Sequence, residues 1–156
     1  MIRKLIIFIL IIFNLNGCGY SPVYLNTSGA DFEIVTLELK GNNKINRIVE
    51  SKLKQHLNNN SEKKYNLRIK TEYKKISAAK DATGNTTNFK LITKLVLNYE
   101  KVDPKLKDLE KTVSLSESLT IKKNENYYEQ NIYEKIVIKN MSELLVERLT
   151  LHLSRN

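Results

Sequence analysis

The sequence predicts an α+β fold, two helices packed on one face of a four-stranded sheet in the order β-α-β-β-β-α. Three observations lead there. Two long stretches, 65–74 and 89–100, alternate apolar and polar residues around a turn-forming pentapeptide, Ala82-Thr83-Gly84-Asn85-Thr86. Two other stretches, near 45–57 and 133–149, repeat apolar residues at helical spacing. Each helix carries one apolar stripe and each strand one strongly apolar face, and laying both helices on one side of the sheet buries them all.

The elements follow in chain order. Phe32 to Leu39 (FEIVTLEL) reads as a strand with Val35, Leu37 and Leu39 on one face. Gly41-Asn42-Asn43 breaks it and supplies an N-cap. Ile45, Ile48, Val49, Leu53 and Leu57 then form a helical stripe, with Arg47, Glu50 and Lys54 on other faces, running to about Asn58. His56 falls beside that stripe and reads as a packing residue at its edge. Tyr65, Leu67, Ile69, Thr71 and Tyr73 make the inner face of a second strand. Phe89, Leu91, Thr93, Leu95, Leu97 and Tyr99 make that of a third, so the two pair as a hairpin. Asp103-Pro104 ends the third strand. Val113, Leu115, Leu119 and Ile121 mark a fourth, with Glu117 on its apolar side, which signals a bulge or an open edge. Asn124 to Asn126 opens the last helix, whose stripe is Tyr133, Val137, Met141, Leu144, Leu145 and Leu149. His152 again lies near the stripe. The other side of the sheet is left with Arg68, Lys70, Lys74, Lys90, Lys94 and the Ser/Thr face of the fourth strand, a polar and net-positive surface.

The head of the chain has a different character. Met1-Ile2-Arg3-Lys4 is cationic, and Leu5 to Phe13 (LIIFILIIF) is nine apolar residues without a break. That is the layout of a secretory signal peptide, and it is far short of the roughly 20 apolar residues a membrane-spanning helix needs. Leu15-Asn16-Gly17-Cys18 follows and resembles a bacterial lipobox, in which the Cys thiol is diacylated and the chain is cut before it. Asn16 departs from the small or apolar residue usual at that place. Two or more acyl chains hold a protein firmly at a membrane. The expected organisation is a lipoprotein signal peptide over 1–17, a lipidated tether over 18–31 and a single α/β domain over 32–156. Gly19, standing where an Asp commonly retains lipoproteins at the inner membrane, implies the periplasmic side of the outer membrane.

Composition excludes most catalytic classes. The 156 residues hold one Cys and two His, so neither an intrachain disulfide nor a Cys- or His-based metal cluster can form. Five Gly leave little for a phosphate loop. No Ser/His/Asp set and no paired acid/base constellation is visible. The expectation is a non-enzymatic protein with no metal and no cofactor beyond the covalent lipid on Cys18. The net charge of +9 rests on 21 Lys and only 5 Arg, beside 18 Asn and 16 Ile, a bias an AT-rich genome imposes on any protein. Charge alone therefore does not indicate nucleic acid. Tyr65, Tyr73 and Tyr99, which could otherwise stack bases, fall on the apolar side of their strands, and export removes that substrate.

From Cys18 to Ser154 the chain resembles the LPS-assembly lipoprotein LptE family. The resemblance is carried by Cys18-Gly19-Tyr20-Ser21-Pro22-Val23-Tyr24, by Leu67-Arg68-Ile69 and Ile76-Ser77-Ala78-Ala79-Lys80-Asp81 leading through a turn into an apolar strand, and by Met141 to Leu149 (MSELLVERL). It implies the fold derived above. It also implies a lipoprotein that plugs and helps assemble the outer-membrane β-barrel protein LptD and binds lipopolysaccharide for insertion into the outer leaflet. Family members use basic residues at the tip of the hairpin between the second and third strands and near the start of the last helix. Here the tip Ala82-Thr83-Gly84-Asn85 has no Lys or Arg, and the matching cations are Lys80 on its shoulder and Lys122 and Lys123 before the helix. Such groups suit phosphates through charge-assisted hydrogen bonds. The competing reading is an adaptor lipoprotein of another envelope complex, a secretion or pilus machine, which needs the same anchor and the same small domain.

Overall fold

The computed structural model describes residues 32–57, 60–102 and 110–155. The signal segment, the lipobox with Cys18, the tether over 18–31 and the Asp103-Pro104 break lie outside the described residues. The elements are β1 (Phe32–Gly41), α1 (Asn43–Leu53) with a following 3-10 turn at Lys54–His56, β2 (Lys63–Lys80), β3 (Thr86–Lys101), β4 (Lys111–Lys122) and α2 (Tyr127–Arg155). This is the β-α-β-β-β-α, α+β architecture expected from the sequence. The sheet order is β1-β2-β3-β4, with β1 parallel to β2 and the other pairs antiparallel.

The parallel β1–β2 pair needs a crossover, and α1 supplies it. Asn42 caps α1, its side-chain oxygen accepting from the backbone N–H of Lys44 and Ile45 at 3.1 and 3.2 Å. Gly41 lets the chain turn there with φ +104°. A Cβ at this position would stand 2.0 Å from the Thr71 carbonyl oxygen, so α1 can start this close to β2 only through a glycine. The Thr71 hydroxyl completes the junction, donating to the Asn46 side chain at 2.5 Å and accepting from the Asn42 N–H at 3.0 Å.

Both helices lie on one side of the sheet. The main core joins Ile45, Val49 and Leu53 of α1, Leu145, Leu149 and Leu153 of α2, and Leu67, Ile69, Leu95 and Leu97 of the sheet. A smaller cluster gathers Leu91, Ile121, Val137 and Met141 towards the hairpin end. Tyr73 packs against both. Tyr73 and Thr93 are cross-strand partners, and each buries a hydroxyl that has no hydrogen-bond partner among the described residues. Burial, and then the nearby Glu134 charge, push the Tyr73 hydroxyl above its usual range.

Several expectations are corrected. Val35 is 49% exposed. The β1–β2 register shifts between Ile34 and Thr36, so Val35 is a bulged residue and the core face of β1 is Phe32, Ile34, Leu37 and Leu39. The extra residue resolves a run that period two alone cannot thread. Glu117 marks an open edge, one of its two expected readings, rather than a bulge, since β3 and β4 pair without a register shift and β4 ends the sheet. It sits on the edge strand and forms an ion pair with Arg148 of α2. α1 stops at Leu53, and Leu57 instead bridges Ile34 as an extended residue. His56 is buried, stacked on Phe32 with ring centroids 4.6 Å apart, a packing role as expected. Tyr133 and Leu144 are exposed, because the buried stripe of α2 runs through Gln130, Glu134, Val137, Met141, Leu145 and Leu149.

Candidate functional site

The last row to cross three strands is Ala79–Asn88–Lys122. One residue on, the Lys123 N–H donates to the Thr87 carbonyl at 2.8 Å, so the chain stays tied to the sheet until it turns towards α2. The turn is built from asparagines, whose short side chains satisfy backbone donors locally. The Asn124 side-chain oxygen accepts from the Asn126 N–H at 2.9 Å, and that of Asn126 caps α2 by accepting from the N–H of Tyr128 and Glu129. Lys122, Lys123, Asn124, Glu125, Gln130 and Tyr133 line an open pocket of about 530 Å³ between the end of β4 and the first turns of α2.

A buried polar chain holds the pocket floor. Gln130 accepts from the Asn124 N–H at 2.6 Å and donates from its amide to the Glu134 carboxylate at 2.7 Å. Lys75 of β2 donates to the same carboxylate oxygen at 2.5 Å and stands 4.1 Å above the Phe89 ring. A carboxylate this deep requires such partners. In return, they fix Gln130 and through it the backbone at Asn124.

Of the sequence candidates, Lys122 and Lys123 come together at the pocket. Lys80 is exposed on the neighbouring hairpin, opposite Thr86 and outside the pocket lining. Next to it Asp81 organises the tip, accepting from the Thr83 hydroxyl, the Thr83 N–H and the Asn85 N–H at 2.7–2.9 Å. The Thr83 hydroxyl bond, then that from Asn85, hold the Asp81 carboxyl below its usual range. The tip thus carries a stabilised anion beside Lys80. Sequence reasoning missed Lys75, Gln130 and Glu134. The signal was the i, i+4 spacing of Gln130 and Glu134 in line with Val137 and Met141, polar residues on a buried stripe. Tyr133, expected in the apolar stripe of the last helix, lines the pocket instead. Among the described residues no group of three or more His, Cys, Asp or Glu could hold a metal ion, and no helix is long and apolar enough to cross a membrane.

No family model and no curated protein matches the sequence. Solved structures do match in shape. Rare lipoprotein B of Shewanella oneidensis aligns with a TM-score of 0.58 at 13% identity, over 78% of this chain and 95% of that one. Lipoprotein B of Nitrosomonas europaea gives 0.52 at 15%, over 79% and 83%. The minor lipoprotein of Acinetobacter baumannii gives 0.51 at 14%, over 82% and 93%. Identities this low speak for the fold alone: the chain shares its β-α-β-β-β-α architecture with these solved lipoproteins.

Proposed function

We propose that this chain is a lipid-anchored lipoprotein of the outer membrane, facing the periplasm and held by acylated Cys18. In this reading it plugs and helps assemble the LptD β-barrel and binds lipopolysaccharide by contact rather than by catalysis. The observation that carries the reading is the pocket at the start of α2. There two adjacent basic residues, Lys122 and Lys123, line the same cavity as the half-exposed Tyr133. Cations beside an aromatic face suit an amphiphile with phosphates next to apolar groups. The family resemblance supports the reading, because it implies a basic contact near the start of the last helix, and Lys122 and Lys123 stand just before it.

Titration with lipopolysaccharide tests the pocket. Lys122→Glu with Lys123→Glu, and Tyr133→Ala alone, should each weaken binding; Lys80→Glu should add a smaller loss. Unchanged affinity in the double variant removes the pocket as the ligand site. Mass spectrometry of the N-terminal peptide tests the anchor: an unmodified Cys18 thiol behind an intact Met1 would overturn it.

An adaptor role in another envelope machine is favoured by one feature, the apolar surface that Tyr128, Ile132, Ile136 and Leu151 leave exposed on α2. Affinity capture from solubilised outer membranes separates the two. One large β-barrel partner supports the first reading, and an inner-membrane or pilus assembly supports the second.

A further inference from the structure

The open face of the sheet is not uniformly charged. Towards the β1–β2 start its cations are neutralised: Lys64 pairs with Glu33 at 2.9 Å, and Arg68 reaches Glu100 and Glu110 at 2.8 and 2.9 Å. Towards the hairpin end, Lys74, Lys90, Lys94 and Lys122 form no ion pair among the described residues. Glu72 is the register partner of Lys94; its carboxylate is bonded by Lys70 at 3.0 Å and also feels the charges of Lys94 and Lys74 without forming an ion pair with either.

The register puts these four lysines in one line. Lys94 is diagonal to Lys74, Lys74 to Lys90, and Lys90 to Lys122, across β3, β2, β3 and β4 in turn. Diagonal neighbours on one sheet face stand about 7–8 Å apart. All four lie on the face opposite the helices, since their chain neighbours Tyr73, Leu91, Leu95 and Ile121 face the core. Ser116, Ser118 and Thr120 of β4 border the line and supply donors and acceptors beside it. Like charges in such a row repel and do not aid folding. The line ends at Lys122, which also lines the pocket.

We propose that Lys94, Lys74, Lys90 and Lys122 form a track for a polyanionic saccharide, the phosphorylated core of the glycolipid whose lipid-proximal phosphates occupy the Lys122–Lys123 pocket. The proposal rests on the pocket reading and extends it to a second surface. Phosphates spread along a sugar chain match unpaired ammonium groups at this spacing, and the bordering hydroxyls match sugar hydroxyls.

The test uses the purified full chain and two probes: lipopolysaccharide bearing a phosphorylated core, and lipid A alone. Lys74→Gln, Lys90→Gln and Lys94→Gln combined should weaken binding of the core-bearing probe roughly tenfold, about twofold for each exposed pair. Affinity for lipid A should stay within about twofold. The matching triple Arg variant should restore the core-bearing affinity, which shows that the loss is of charge and not of fold. The track is overturned if the Gln variant binds the core-bearing probe as the parent does, or if it loses both probes equally. It is also overturned if poly-glutamate competes as well as the saccharide, which would make the face a protein contact. A failure of the pocket looks different: Lys122→Glu with Lys123→Glu would then bind lipid A like the parent.

Discussion

Lys75 and Glu134 meet at 2.5 Å on the helix side of the sheet, joining the middle of β2 to the second turn of α2. The Glu134 side chain is 12% exposed and that of Lys75 33%. Removing one partner leaves a buried charge with fewer hydrogen bonds, whereas removing both removes the demand. Lys75→Met should therefore cost about 2 kcal/mol. Lys75→Met combined with Glu134→Leu should cost clearly less than the two singles summed. A denaturant double-mutant cycle measures the coupling, and additive losses would show that the pair does not act as a unit.

Thr93 is fully buried with an orphaned hydroxyl, and its cross-strand partner Tyr73 buries another. Thr93→Val keeps the shape and deletes the unmet group, so it should raise stability by about 1 kcal/mol. The denaturation midpoint should rise with an unchanged slope. A fall would mean that the hydroxyl is satisfied in solution.

Gly41→Ala should be among the costly single substitutions. It forces a side chain into φ +104° and drives a methyl against the Thr71 carbonyl, a loss of about 2 kcal/mol or more. Gly84 also has positive φ, at +85°, but open space around it. Gly84→Asn should cost much less, because Asn tolerates the left-handed region. Equal losses in thermal melts would contradict the close approach.

His56 gives the fold an acid sensitivity. Desolvation lowers its pKa from the ordinary 6.5, so the folded chain favours the neutral ring stacked on Phe32. The unfolded chain then binds the extra proton first. This contribution to stability is complete above pH 6.5 and is lost as pH falls from there through the lower folded value. The stability difference between the parent and His56→Phe, followed by urea unfolding from pH 8 to pH 5, should shift in favour of the variant on acidification. A difference independent of pH would refute the assignment.

Local patterning determined the fold class, the hairpin with a turn read at Ala82–Thr86, the cap at Gly41-Asn42-Asn43 and the sidedness of the sheet. Each depends on neighbours two to four residues apart, and those spacings are written in the chain. Three things waited for the tertiary structure. Val35 could share a face with Leu37 until pairing with β2 inserted a bulge at it. Tyr133 could belong to the α2 stripe until the sheet met the helix along Gln130, Glu134 and Val137, which turned the ring out to the pocket. The lysine line over β2, β3 and β4 exists only because the strand registers bring residues 74, 90, 94 and 122 to one place. Register and helix rotation are set by how distant surfaces pack, and the free energy of that packing belongs to pairs of residues that no local window contains.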